Sequence, residues 1–114
     1  MNIFSYTNLV GDKMIKKLSE DEIFEITSNF KALGEENRFK IVLSLLDGEK
    51  NVGELSTNVN LSQSATSHQL RILRDARILK SKKVKNEIYY RLADEHVKSI
   101  IKITLEHLGC LKGE

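Results

Sequence analysis

Four residues near the end of the chain, Asp94, His96, His107 and Cys110, carry side chains that bind transition metals: a carboxylate, two imidazoles and a thiol. His96 and His107 are eleven positions apart. In a helix that spacing returns to nearly the same face, but about 16 Å further along the axis. One ion cannot bridge that span within a single straight helix. Two antiparallel copies of the helix can, because Asp94 and His96 near one start meet His107 and Cys110 near the other end. The arrangement is symmetric and gives two identical sites per dimer. The donor set suits tetrahedral Zn(II), with Co(II) or Ni(II) as chemical alternatives. Each residue also has a plainer use. Asp94 can cap a helix, His107 can favour a helix C-terminus, His96 can be an exposed polar residue and Cys110 a small buried apolar one. Gly109 is expected just past the helix end, which turns Cys110 away from the face of His107.

A second chemical group lies upstream, between Asn51 and Leu92. Asn51 and Glu54 form a capping-box start for a short helix through Val52, Leu55 and Val59, stopping at Asn60. Ser62 is a good N-cap for a second helix, whose apolar side is Ala65, Leu70, Leu73 and Ile72. Gln63, Ser64, Thr66, Ser67, His68 and Arg71 are left for its other sides. These residue types read base edges and phosphates when a helix enters a DNA groove. Alone, the pattern would equally fit an ordinary amphipathic surface helix.

The adjoining segment favours the groove. Ile78 to Val84 and Glu87 to Leu92 are β-rich runs around a Lys85-Asn86 turn. His68 to Arg91 holds eight Lys or Arg against two acids, a local charge of +6 in a chain whose formal net charge is +2. A basic pole thus sits on a mildly acidic body, where it would neutralise phosphates and make binding salt-dependent. Lys82, Lys83 and Lys85 are the phosphate candidates. Two helices around a tight turn, then a basic hairpin, make a winged helix-turn-helix, a device for placing one helix in the major groove of double-stranded DNA.

The flanking elements must position these groups. Ser19 and Glu22 form a capping box opening a helix through Ile23, Ile26 and Phe30 to about Leu33, ended by Gly34. Glu35 and Glu36 lie at a new helix start, with Phe39, Ile41, Val42, Leu45 and Leu46 as its apolar face and Asp47-Gly48 closing it. The last helix, Ala93 to Leu108, is too apolar for a lone surface helix, so it is expected to pair with its copy in a homodimer. The fold class is mainly α with a β-hairpin wing, in the order α-α-α-α-β-β-α. Residues 1–18 are read as an N-terminal arm, 19–110 as one DNA-binding and dimerisation domain and 111–114 as a tail.

Composition narrows the function. At 114 residues with seven aromatics the chain makes one domain with a modest core. No apolar run approaches a membrane span and no signal pattern opens the chain. Its one cysteine excludes an intramolecular disulfide and fits a reducing cytoplasm. Without a phosphate loop, nucleophile elbow or His-Glu-x-x-His motif, the chain does not read as an enzyme.

The runs FKALGEENRFKIVLSLL and VGELSTNVNLSQSATSHQLRILRDARIL, with the basic wing behind them, closely resemble the ArsR/SmtB family of metal-responsive repressors. The resemblance covers about Ser19 to Leu108. It implies a homodimeric winged-helix repressor that leaves operator DNA when its inducer binds, with DNA-reading positions at Gln63, Ser64, Ser67 and His68. One sensing site of the family uses closely spaced cysteines, but the matching stretch, Val52-Gly-Glu-Leu-Ser, has none. The other lies on the C-terminal helix as Asp-x-His followed by His-x-x-(His or Glu). Asp94, His96 and His107 match it, and Cys110 departs from it. The resemblance is therefore greatest to the zinc-sensing subgroup and implies derepression of a metal efflux or storage operon. Two alternatives are a repressor of the same fold sensing redox state at Cys110 or another inducer, and a winged-helix module that binds protein.

Overall fold

The structure, a computed structural model, describes residues 17–111. Most of the expected N-terminal arm and the end of the tail lie outside the described residues. Among the described residues, five helices and three strands run in the order α1 (Glu20–Leu33), α2 (Glu36–Ser44), β1 (Lys50–Asn51), α3 (Val52–Val59), α4 (Gln63–Asp75), β2 (Leu79–Val84), β3 (Glu87–Leu92) and α5 (Glu95–His107).

Local signals place most boundaries. Ser19 Oγ accepts from the Glu22 N–H at 3.0 Å while Glu22 Oε1 accepts from the Ser19 N–H at 2.9 Å, closing the expected capping box of α1. Asn51 and Glu54 repeat the arrangement at the start of α3, at 3.0 and 2.9 Å. Asn60, with φ 59°, ends α3 in the left-handed region that Asn tolerates, and Ser62 Oγ then accepts from Ala65 N–H to open α4. Two expectations shift. The second helix ends at Ser44 rather than at Asp47-Gly48, because residues 45–48 turn through short backbone hydrogen bonds. Lys50-Asn51, expected only as a helix start, also forms a short strand against Tyr89 and Tyr90, giving a sheet of order β1-β3-β2.

The core forms where the helices meet the base of the wing. Ile41, Leu55, Leu70, Leu73 and Ile78 are fully buried, and Val42, Leu79, Leu92 and Ile101 close around them. Tyr90 packs against this cluster, as one tyrosine of the hairpin was expected to do. α4 is seated by Leu70 and Leu73, so its opposite side is held outward.

Outside this core, α1 and α5 keep much apolar surface. Phe24, Ile26 and Phe30 of α1 and Ile100 and Ile103 of α5, with Leu108 beyond it, are all exposed, Phe24 to 73% and Leu108 to 67%. Ile26, Phe30 and Ile100 line one shallow groove, so the two helices share a face. Among the described residues no helix is long and apolar enough to cross a membrane.

Three carboxylates are held below the ordinary range by groups that exist only in the fold. The backbone N–H of Arg38 does this for Glu35, the Lys50 ammonium for Asp47 and the backbone N–H of Val97 for Asp94. A lowered folded-state pKa contributes stability that is present above the unfolded value and is lost as pH falls through the folded value. The thermal midpoint is therefore expected to fall as the pH drops below about 4, and Glu35→Gln to make that fall shallower. A midpoint that rose on acidification, measured by circular dichroism, would contradict this.

Candidate nucleic-acid interface and metal-ligand positions

α4 sorts its residues by helical geometry. Ser64, Ser67, His68 and Arg71 fall three or four positions apart and form one exposed stripe, with Gln63 exposed beside it in the first turn. Thr66 does not belong to this set, contrary to the sequence reading. It is fully buried, and its hydroxyl donates to the Ser62 carbonyl at 2.8 Å. Position 66 precedes Leu70 by four and Leu73 by seven, so it shares their inward side.

The wing rises beside this stripe. Gln63 and Ser67 face Ile88 and Tyr90 across a cleft whose rim includes Asn51 and Asn86. The register places Lys82 opposite Tyr89 and Lys83 opposite Ile88. Neighbouring strand residues point to opposite faces, so the two lysines cannot serve one side of the wing. Lys83 shares the face of Leu79 and Ser81, which packs on the helices at the wing base. Lys82 lies on the other face and pairs with Glu49 at 3.3 Å. Lys85 sits in the turn between the strands with φ 57° and is exposed. Asn51 Nδ2 donates to Glu87 Oε1 at 2.9 Å. Glu49, Asn51 and Glu87 thus anchor the wing to the start of α3, a role that no local sequence pattern announces.

The side chains expected as metal ligands lie at the two ends of α5. Asp94 is its N-cap, its Oδ1 accepting from the Val97 N–H at 3.0 Å. That N–H is the main reason its carboxyl stays ionised below the ordinary range. His96 Nδ1 lies 3.8 Å from the same oxygen, with its side chain almost wholly exposed. At the far end His107 is the last helical residue. Gly109, with φ 72°, then reverses the chain, while its N–H and that of Cys110 donate to Glu106 and Leu105 carbonyls at 3.0 and 2.8 Å. This is the Schellman closure that Gly109 was expected to bring. Cys110 is exposed beyond it.

Among the described residues no three His, Cys, Asp or Glu side chains converge within one chain. Each end of α5 offers instead an exposed half-set: a carboxylate with an imidazole, and an imidazole with a thiol. The donor chemistry fits a borderline divalent ion, provided that two chains contribute.

Comparison with known proteins gives these positions a context. The family model for bacterial regulatory proteins of the arsR family matches residues 35–81. A transcriptional repressor SmtB homolog from Synechocystis is 36% identical over 91 residues, covering 80% of this chain and 69% of that one. A cadmium resistance transcriptional regulatory protein CadC homolog from Staphylococcus aureus is 34% identical over 93 residues, covering 81% and 77%. HlyU of Vibrio cholerae, named a transcriptional activator, is 40% identical over 80 residues, covering 70% and 73%. Its solved structure superposes with a TM-score of 0.72 at 34% identity, covering 82% of this chain and all of that one. These likenesses establish the winged helix-turn-helix fold.

The Lys82–Glu49 pair yields a direct test of the wing. Glu49→Gln removes the carboxylate that competes with phosphate for Lys82, so affinity for duplex DNA is expected to rise, by a few-fold at most for so exposed a pair, and the log–log salt slope not to become shallower. Lys83→Ala or Lys85→Ala is expected to weaken binding uniformly across sequences, with a slope shallower by about one. Slopes unmoved by all three substitutions would remove the wing from the interface.

Proposed function

This chain belongs to the arsR family of bacterial regulatory proteins, and from that premise we propose a homodimeric transcriptional repressor whose hold on operator DNA is relaxed by a divalent transition ion, Zn(II) foremost. The observation that carries the reading is the placement of Asp94 and His96 at one end of α5 and His107 at the other, along a helix whose Ile100 and Ile103 are exposed. Antiparallel pairing of that helix with its copy covers apolar surface and joins the two half-sets by the same operation. The name of the cadmium-resistance relative supports a metal signal.

In this reading Gln63, Ser64, Ser67, His68 and Arg71 read the major groove, while Lys83 and Lys85, with Lys82 once it leaves Glu49, contact phosphates. Burial of Ile26, Phe30, Ile100 and Ile103 between two chains sets the separation of the two α4 helices, which must match successive major grooves. Asp94 and His96 of one protomer, with His107 and Cys110 of the partner subunit, would hold the ion. A bound divalent ion supplies cross-links between the subunits. The residues' part is to make those cross-links stronger in a dimer whose α4 helices are misplaced for DNA, by a coupling of about 1–3 kcal/mol. Asp94 is pre-set for this, ionised and oriented by the Val97 N–H. Cys110 is the ligand most dependent on local movement, since Gly109 turns it off the helix.

Two outcomes are expected. Competition against a chromophoric zinc chelator should give one equivalent per protomer, lost in His96→Ala and in His107→Ala, with Cys110→Ser weakening rather than abolishing it. His96→Ala that kept both zinc and regulation would move sensing to Cys110 redox chemistry or another inducer. Separately, Ile103→Glu should convert the dimer to monomer by sedimentation equilibrium and lower affinity for operator DNA by at least about tenfold. A fully dimeric Ile103→Glu chain would place the interface elsewhere.

A further inference from the structure

Arg38 is a charged residue in α2 whose side chain is only 16% exposed. Its guanidinium is used in three directions. Nε donates to the Ala32 carbonyl at 2.8 Å and Nη2 reaches the Lys31 carbonyl at 3.5 Å, both in the last turn of α1. Nη1 donates to Gln69 Oε1 at 2.9 Å. The Glu35 carboxylate stands 4.0 Å from Nη1. A cation taken this far from water needs such acceptors, and the planar fork fixes their relative positions as a flexible ammonium would not.

The partners matter because of where they sit. Gln69 is on α4, directly after Ser67 and His68 of the exposed stripe. Leu70 and Leu73 press α4 against the core and set its inward side, and a charge-assisted hydrogen bond on its flank adds a directed, angular constraint. The Gln69 bond supplies that angular stop. Its other end is α1, whose Ile26 and Phe30 belong to the exposed apolar face. A second tie, from Asn29 Nδ2 to the Ala76 carbonyl at 2.6 Å, holds α1 to the C-cap of α4. Gln69 and Ala76 are seven residues apart, about 10 Å along the helix. The helix carrying the apolar face is thus pinned to the helix carrying the polar stripe at two separated points, with Arg38 as the rotational one.

We infer that Arg38 is a positioning residue: by joining the α1 C-terminal carbonyls to Gln69 it sets the rotation of α4, and with it the preference for one DNA sequence over others. The inference rests on the reading above that α4 enters DNA. Neither Arg38 nor Gln69 contacts nucleic acid in it. Substitution should therefore erode selectivity while leaving general phosphate affinity in place.

The test uses a duplex that the wild-type full chain selects from a random pool, and a scrambled duplex of equal length. Gln69→Met keeps size and removes the acceptor; Arg38→Lys keeps charge and removes the fork; Gln69→Glu keeps the acceptor. Gln69→Met and Arg38→Lys are expected to lose about tenfold on the selected duplex and less than about twofold on the scrambled one. Their salt slopes should be unchanged. The double variant should lose no more than either single one, and Gln69→Glu should retain selectivity. Equal losses on both duplexes, additive losses in the double variant, or undiminished selectivity in Gln69→Met would each overturn the proposal. Should Arg38→Lys fail to fold, the two Gln69 variants decide alone. A wild-type chain that selects no duplex would overturn the DNA-binding reading itself, and the proposal with it.

Discussion

The burial of Leu70 and Leu73, with Thr66 between them and the start of α4, is the constraint on which the functional surface depends. A helix of 13 residues whose first two turns hold Ser64, Thr66, Ser67 and His68, all weaker helix formers than the Ala65 and Gln residues among them, is marginal alone. Ser62 gives it a start, and the core gives it an inward side. Once those are fixed, Ser64, Ser67, His68 and Arg71 face away from the core, and the Arg38–Gln69 hydrogen bond adds a directed constraint on the rotation of the helix. Truncating either leucine would remove the packing that presents the stripe, at a typical cost of about 2–5 kcal/mol.

A second constraint is size. The described chain buries one compact cluster at the base of the wing and has no remaining element with which to cover Phe24, Phe30, Ile103 or Leu108. An exposed apolar face of this kind marks an interaction surface. Covering it with a second copy would link two otherwise separate features of the proposal, the spacing of two α4 helices and the meeting of donor atoms from opposite ends of α5. Sensing and DNA reading would then be two uses of one interface. In that reading, ties such as Asn29 to Ala76 and Arg38 to Gln69 would connect the helix bearing the apolar face to α4.

Much of this was legible in the residue order, for physical reasons that differ by element. The capping boxes at Ser19–Glu22 and Asn51–Glu54 and the cap at Ser62 are local chemistry, and each marks its helix start. The hairpin was legible because β-rich runs flank a short polar turn. Other features required three dimensions. Thr66 looks polar on paper, and only its four- and seven-residue spacing from Leu70 and Leu73 hints that it turns inward. Lys82 and Lys83 read as one basic run until strand alternation separates them and Glu49 claims the former. β1 is two residues long and exists only because β3 offers an edge. The hydrogen bond from Arg38 to Gln69 spans 31 positions, and no local pattern announces it. For the candidate site, spacing named the side chains at both ends of α5, but their convergence requires a second chain.

The most direct measurement is the fluorescence anisotropy of a labelled operator duplex titrated with reduced, metal-free protein, repeated with one equivalent of Zn(II) per protomer. A metal-responsive repressor binds tightly without the ion, and its affinity falls by about tenfold or more when zinc is present. Equal affinity in both titrations, with zinc shown to be bound, would contradict the coupling between α5 and the DNA-reading helix.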